Sequence, residues 1–247
     1  MELVGQAALV TGASRGIGRA VALALAEAGA AVTVVYRERQ QAAEAVVAEI
    51  TGRGGRAFAC QGDVANPADC TRMVEETISR FGRLDILVNN AGIALEKLLV
   101  DTTVEEWDRL MAVHLRGMFV CTRAALPGMI ERRYGRIINI SSIWGISGAA
   151  GEVAYSTAKA GQIGFTRALA REVGGFGITV NCVAPGAVAT EMNKDLTGPA
   201  LQEWLAHTPV GRLGTPEEIA AVVRFLASPG AGFITGQVWS PNGGVVM

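Results

Sequence analysis

Short apolar runs alternate along the chain with longer segments in which apolar side chains recur every three or four residues. The runs at 7–11, 31–36, 57–61, 84–89, 136–141, 178–183 and 237–239 predict strands. The segments at 16–29, 40–52, 67–81, 103–133, 154–173 and 216–227 predict helices. Local punctuation supports these limits. Gly29 and Gly82 close two helices, Pro67 opens one, and Thr103 offers a cap with Glu105 and Glu106 in the turn that follows. Strands that alternate with helices imply βαβ units and a parallel sheet. The strands are unbroken apolar runs, as strands covered on both faces require. The expected fold is a single α/β domain over 1–247: a doubly wound parallel sheet of about seven strands with helices on both faces. The stretch 190–214 is the least regular and is a candidate flexible substrate loop.

Composition narrows the function. Half of the 247 residues are hydrophobic, 18% are charged, and the net charge is -1. That balance suits a packed core and gives no basic excess for nucleic acid. The densest basic cluster is Arg132, Arg133 and Arg136, which reads either as a solvated helix end or as a dock for an acidic partner. The four cysteines form no CxxC pair and the two histidines lie far apart, so neither a metal site nor a disulfide framework is expected. The N-terminal residues lead almost directly into a strand with no secretion signal, and no apolar stretch is long enough to span a bilayer. A soluble cytoplasmic protein is expected.

The first strand runs into Thr11-Gly12-Ala13-Ser14-Arg15-Gly16-Ile17-Gly18 and then a helix. Glycines let the chain turn sharply and let backbone N–H groups approach a pyrophosphate, which the helix N-terminus attracts. The spacing is GxxxGxG rather than GxGxxG, and a tight turn that binds nothing is the alternative. The second strand ends Tyr36-Arg37-Glu38. An arginine there accommodates the 2′-phosphate of NADP(H), whereas an acid holds the free ribose of NAD(H). Arg37, with Arg15 as a second cation, points to NADP(H); Glu38 points the other way.

The sharpest chemical signal is Tyr155-Ser156-Thr157-Ala158-Lys159, which puts Tyr155 and Lys159 on one face of a helix. A phenol is too weak an acid for efficient proton transfer near neutrality, and an ammonium beside it should lower its pKa. Ser141 and Ser142 follow the fifth strand, at the end where α/β sheets bind ligands. A serine there can hydrogen-bond a carbonyl oxygen as negative charge develops.

Taken together, these residues resemble the short-chain dehydrogenase/reductase family, over essentially the whole chain. Thr11–Gly18 matches the family's cofactor loop, with Gly12, Ser14, Arg15, Gly16, Ile17 and Gly18 as its contacts. Asp63 and Val64 match its adenine contact. Asn89-Asn90-Ala91-Gly92 matches the motif that supports the sheet and approaches the ribose. Pro185, Gly186, Val188 and Thr190 match the segment that holds the nicotinamide carboxamide, and Tyr155 and Lys159 also face the cofactor. The resemblance implies a Rossmann fold, and a reaction in which Tyr155 protonates a carbonyl oxygen, Ser142 positions it, and Lys159 orients the ribose and lowers the Tyr155 pKa. It also implies a homotetramer, formed through the long helix, its successor and the C-terminal strand, which the apolar tail Trp239–Met247 suits.

One position departs from the family. Where members usually carry an asparagine that helps hold a proton-relay water, this chain has His114. His114 is therefore either a relay residue or a packed core histidine whose backbone carbonyl serves the water. Within the family, the 3-oxoacyl-[acyl-carrier-protein] reductases are the most similar subgroup. Arg133 matches a basic position they use to dock the carrier, while a second such position is Phe176 here. Trp144, Met192, Trp204 and Leu205 are candidates for an apolar acyl pocket, or for ordinary core contacts. Three functions stay open: an NADPH-dependent 3-oxoacyl-thioester reductase, a same-family enzyme for another ketone/alcohol pair, and a non-catalytic dinucleotide-binding module.

Overall fold

In the computed structural model, which describes residues 2–247, seven strands form one parallel sheet in the order β3-β2-β1-β4-β5-β6-β7. They are β1 (Ala7–Val10), β2 (Ala31–Tyr36), β3 (Ala57–Gln61), β4 (Ile86–Asn89), β5 (Gly135–Ile140), β6 (Ile178–Val183) and β7 (Val238–Trp239). Every residue of β1, β2, β4, β5 and β6 is buried, which is why the sequence shows continuous apolar runs there. The chain steps outward from β1 to β3, then returns to pair β4 with β1 in register Leu9↔Leu87. This reversal opens a crevice at the C-terminal ends of β1 and β4, the usual ligand position in such sheets.

Helices cover both faces. Helices α1 (Gly16–Glu27), α2 (Gln40–Gly52) and α9 (Pro216–Ala227) pack with Val10, Val34, Val88 and Ile138 in one core. Helices α3 (Pro67–Phe81), α5 (Gly117–Arg132) and α7 (Val153–Val173) pack with Leu9, Val35, Leu87 and Ile137 in the other. Alternate residues of each strand thus serve opposite cores, as the pleat demands. Cap chemistry fixes several helix starts. The Asn66 side chain caps α3, and complete capping boxes at Thr103/Glu106 and Thr215/Glu218 open α4 (Val104–Met111) and α9.

Three features differ from the sequence reading. The stretch 103–133 is not one helix: a π-helical turn at Ala112–Arg116 separates α4 from α5. Such turns leave one residue outside the α-ladder and tend to mark functional sites. The segment 190–214 is not irregular throughout, because it holds a 3₁₀ turn at Glu191–Asn193 and α8 (Gly198–Ala206), with Pro199 in the first turn. A one-turn helix, α6 (Trp144–Ser147), follows β5. Among the described residues no helix is long and apolar enough to cross a membrane.

Candidate active site

The glycine turn sits in the crevice beside β4. Gly12 and Gly16 have φ of 64° and 52°, so both occupy the left-handed region that suits glycine. At Gly18 a Cβ would collide with the Gly12 carbonyl and come within 2.5 Å of the Asn90 amide nitrogen. Gly18 is thus required for the helix to press against the turn. No side chain caps α1 and no acid lies in its first turn, so its N-terminal N–H groups face the crevice unblocked. Thr11 ties the turn to β4: its Oγ1 accepts from the N–H groups of Asn90 and Ala91 at 2.9 and 3.0 Å. The Asn90 amide donates back to the Thr11 and Gly12 carbonyls at 2.8 and 3.2 Å. The cradle fits the pyrophosphate of a dinucleotide.

The segment that follows β6 closes over the turn. Pro185 accepts from the Ile143 N–H at 3.0 Å, and Gly186 lies so near Asn242 that a Cβ would sit 3.0 Å from its Cα. Val188 is buried and bridges to Gly214, and the methyl group of Thr190 leans over Gly16. On the adenosine side, one Asp63 carboxylate oxygen accepts from the Ala65 N–H and the other binds Arg109 at 3.0 Å. Val64 is buried beside it.

The cations are arranged differently from the sequence reading. Arg37 is exposed and pairs with its neighbour Glu38 at 2.6 Å. Arg39, which the sequence reading passed over, reaches towards Arg15 instead, and both guanidinium groups meet the carboxylate of Glu191. The tripeptide Arg37-Glu38-Arg39 offers two cations, and the turn of the chain after β2 decides which one faces the glycine loop.

Ser142, Tyr155 and Lys159 come together at the C-terminal end of β5, where all three are buried. Ser142 Oγ accepts from the Trp144 N–H at 3.2 Å and lies beside the Tyr155 hydroxyl, whose pKa it lowers. Lys159 donates to the Ile140 carbonyl at 2.8 Å, and its Nζ stands 5.4 Å from the centre of the Tyr155 ring. The Ser141 hydroxyl donates to the Lys159 carbonyl at 2.8 Å, fixing α7 against the end of β5. The Tyr155 pKa lies above its ordinary value, not below it. Burial, reinforced by the charge of Glu152, pushes it up to about 12, with Ser142 opposing. Burial also drives Lys159 down to about 8.

His114 lies in the π turn and is 1% exposed. Its Nε2 is within 2.8 Å of the Ile93 carbonyl, and its ring stacks edge-on against Tyr155 at 5.5 Å. Its backbone carbonyl accepts from Gln162 at 3.2 Å. Burial pushes its pKa down to about 3, so it is a neutral, packed ring. The ring is packed as a core histidine would be, while its buried Nδ1 has no hydrogen-bond partner among the described residues. Gln162 and Glu152 are further polar groups beside the trio that sequence reasoning missed, and only their spacing from Tyr155 and Lys159 on α7 could have signalled them.

Trp144 and Trp204 meet edge-on at 5.6 Å, which sets α8 against the mouth of the site. Met192 is half exposed nearby in sequence, and Leu205 is partly buried. The basic cluster breaks up. Arg136 is buried over the Tyr134 ring, Arg132 binds the Leu84 carbonyl, and only Arg133 is exposed. Arg133 precedes β5, six residues long, so it lies roughly 20 Å from Ser142 at the opposite end of the strand. An open groove of about 660 Å³ runs between Asp63, Asn66 and the α4 residues Asp108 and Arg109. It flanks the sheet edge of the crevice and not the catalytic trio. No cluster of metal ligands exists among the described residues.

Comparison with known proteins extends these local matches to the whole chain. A family model described as enoyl-(acyl carrier protein) reductase matches residues 12–246. A 3-oxoacyl-[acyl-carrier-protein] reductase of Synechocystis sp. is 47% identical over 246 residues, covering 99% of this chain and 98% of that protein. A blue fluorescent protein from a metagenomic library, solved in complex with NADPH, superposes with a TM-score of 0.95 at 39% identity, with both chains fully covered. A short chain dehydrogenase from Burkholderia cenocepacia, solved with NADP, gives 0.93 at 38% identity and covers 99% of each chain. Likeness of this extent, in sequence and in backbone, means that the chain belongs to the short-chain dehydrogenase/reductase family.

Proposed function

We propose that this protein is an oxidoreductase that reduces a 3-oxoacyl thioester to the 3-hydroxyacyl thioester with NADPH, as a step of fatty acid synthesis. The observation that carries the reading is the buried Ser142–Tyr155 pair beside Lys159, at the open end of a crevice whose glycine turn fits a pyrophosphate. The nicotinamide, when bound, supplies the hydride. The protein does the rest. Gly12, Ser14, Gly16, Ile17 and Gly18 cradle the pyrophosphate, and Asp63, Val64, Asn90, Ala91 and Gly92 line the adenosine half. Pro185, Gly186, Val188 and Thr190 hold the nicotinamide end. Arg15 and Arg39 receive the 2′-phosphate, with Arg37 behind them. Ser142 hydrogen-bonds the substrate carbonyl oxygen, and Tyr155, protonated because its pKa stands near 12, donates the proton. Lys159 orients the ribose and stabilises the phenolate that forms. The segment 190–214 acts as a mobile substrate cover, with Trp144, Trp204, Met192 and Leu205 against the acyl chain.

A second reading has its own support. Phe176 is exposed where the related reductases carry a basic residue, and Arg133 donates to the Gly175 carbonyl next to it. A carrier docked there would sit at the far end of β5 from this chain's own Ser142, so it would serve another subunit or none. That favours acyl-CoA or a free ketone. Assembly into a homotetramer is supported by two exposed apolar groups: Leu98, Leu99, Val100, Val104 and Phe119 near α4 and α5, and Phe225, Phe233 and Met247 near the end of the chain. A cytoplasmic location is supported by four free, buried thiols.

The test is oxidation of NADPH with an acetoacetyl thioester on acyl carrier protein and on CoA, with NADH in parallel and the Tyr155→Phe variant as control. Fast turnover on the carrier that Tyr155→Phe abolishes supports the first reading. Turnover on CoA alone moves the assignment to the second. No turnover on either, with NADPH still bound, discards the thioester reductase and sends the search to small ketones. A non-catalytic module would be indifferent to Tyr155→Phe.

A further inference from the structure

Glu191 stands between the two halves of the cofactor crevice. It opens the 3₁₀ turn that follows Thr190, in the segment descending from β6 on the nicotinamide side. Its carboxylate crosses to the adenosine side, where it hydrogen-bonds Arg15 in the glycine turn and Arg39 after β2. The Arg39 contact is 2.9 Å to each carboxylate oxygen. The partners are 176 and 152 residues distant in sequence, so this is a tertiary contact and not a local one. All three side chains are about half exposed, at 51% for Arg15, 50% for Arg39 and 52% for Glu191. A dissolved anion therefore has access to both guanidinium groups. Thr190, one residue earlier, leans on Gly16, which seats the segment directly over the turn.

Two guanidinium groups converging on one carboxylate, at the rim of a dinucleotide cradle, form a receptor for a phosphate dianion. A carboxylate carries one negative charge and two acceptor oxygens; a phosphate monoester carries nearly two charges and three oxygens. We propose that Glu191 is a specificity-determining residue that acts as an internal competitor: its carboxylate occupies Arg15 and Arg39 until the 2′-phosphate of the cofactor displaces it. The inference rests on the NADP(H) reading above and deepens it. The competition weakens 2′-phosphate binding, because the phosphate must first break the Glu191 pairs. A nucleotide with a free 2′-hydroxyl leaves those pairs intact and feels no such opposition. Glu191 thus narrows the gap between phosphorylated and unphosphorylated cofactor and lets the phosphorylated product leave.

Calorimetric titration with adenosine 2′,5′-bisphosphate and with adenosine 5′-monophosphate, on the wild type, Glu191→Gln, Arg15→Gln and Arg39→Gln, separates the possibilities. With the competitor removed, Glu191→Gln should bind the bisphosphate about 3–10-fold more tightly, as the loss of one or two exposed ion pairs allows. Monophosphate binding should stay within about twofold. Arg15→Gln and Arg39→Gln should weaken the bisphosphate selectively. A purely structural role for Glu191 would move both ligands together, or shift the melting temperature without a ligand difference. Unchanged or weaker bisphosphate binding in Glu191→Gln, with the wild type still preferring the bisphosphate, overturns the competitor and leaves NADP(H) standing. A wild type with no preference, indifferent to both arginine variants, overturns the cofactor reading and this inference with it.

Discussion

Lys159 lies under Tyr155 without touching its hydroxyl: Nζ stands 5.4 Å from the ring centre and donates to the Ile140 carbonyl at 2.8 Å. Among the described residues it has no carboxylate partner within ion-pair distance, although it is 3% exposed. A buried ammonium held by one carbonyl opposes folding, and the pKa of about 8 expresses this. The group's folded pKa is below its unfolded value near 10.5, so the penalty is complete below pH 8 and disappears as pH rises through 10.5. Lys159→Met keeps the stem and removes the charge. It should raise stability at pH 7 by about 1–3 kcal/mol and lower kcat by at least about 100-fold. Urea unfolding at pH 7 and at pH 10.5 checks it: the gain must shrink at the higher pH.

The Tyr155 phenol is protonated at working pH, which suits reduction. Alcohol oxidation needs the phenolate, so its kcat/KM should rise about tenfold per pH unit from 7 and level off above 8, where Lys159 loses its charge. Glu152, itself partly buried and raised by burial and by Glu96, is the second cause of the high Tyr155 pKa. Glu152→Gln should therefore speed oxidation at pH 8 by about 2–5-fold and leave reduction at pH 7 within about twofold. A pH–rate profile in both directions decides; no leftward movement of the oxidative limb would remove Glu152 from this role.

Burial keeps His114 neutral, with a pKa near 3 against about 6.5 when unfolded. A depressed pKa contributes stability that is present above 6.5 and lost as pH falls towards 3. His114→Asn should flatten the stability curve between pH 6.5 and 4. It should cost about 1–2 kcal/mol at pH 7, through the lost Ile93 contact and the gap against Tyr155. With His114 acting as a packed ring, activity should stay within about tenfold. A larger loss, in a variant that remains folded, would show that His114 has a job of its own.

How far the sequence reached depended on the range of each interaction. The strands and helices were legible because apolar period reports burial directly, and the catalytic pair because four residues of α7 place Tyr155 over Lys159. The glycine turn was legible too, but the close approach of Gly18 to the Gly12 carbonyl and Asn90 was not, because it depends on how α1 seats against the turn. The π turn at Ala112–Arg116 was not, because its residues are ordinary helix formers and nothing in their spacing marks the extra residue. The choice of Arg39 over Arg37 was hidden for a different reason. Neighbouring residues in a loop differ in direction, and direction comes from Glu191, far along the chain.

Gly18→Ala and Gly16→Ala separate close approach from backbone strain. At Gly18 the added carbon meets the Gly12 carbonyl and Asn90, which are backbone and a hydrogen-bonded amide that cannot yield. The expected loss is about 1–3 kcal/mol of stability together with most dinucleotide affinity. At Gly16 the nearest atom is the Thr190 methyl at 3.4 Å, an ordinary contact, but φ of 52° strains any other residue by about 1–2 kcal/mol. Thermal unfolding with and without NADPH should show that NADPH restores stability in Gly16→Ala and fails to in Gly18→Ala.

The two arginines after β2 make the most direct check of the crevice. Arg37 is 45% exposed and held by Glu38, while Arg39 converges with Arg15. Arg39→Gln should raise the KM for NADPH by about 10-fold or more, as loss of a charge-assisted contact to phosphate does, and leave that for NADH nearly unchanged. Arg37→Gln should change either KM by no more than about threefold. The reverse order would mean that the chain after β2 turns over when the phosphate arrives, with Glu38 releasing Arg37 and Arg39 remaining on Glu191. The double variant Arg37→Gln/Arg39→Gln then distinguishes a site that uses one cation from one that uses both. If Arg39 alone serves, the double variant matches Arg39→Gln; if the two share the phosphate, its KM exceeds that of either single variant, reaching at least the product of their separate effects relative to wild type.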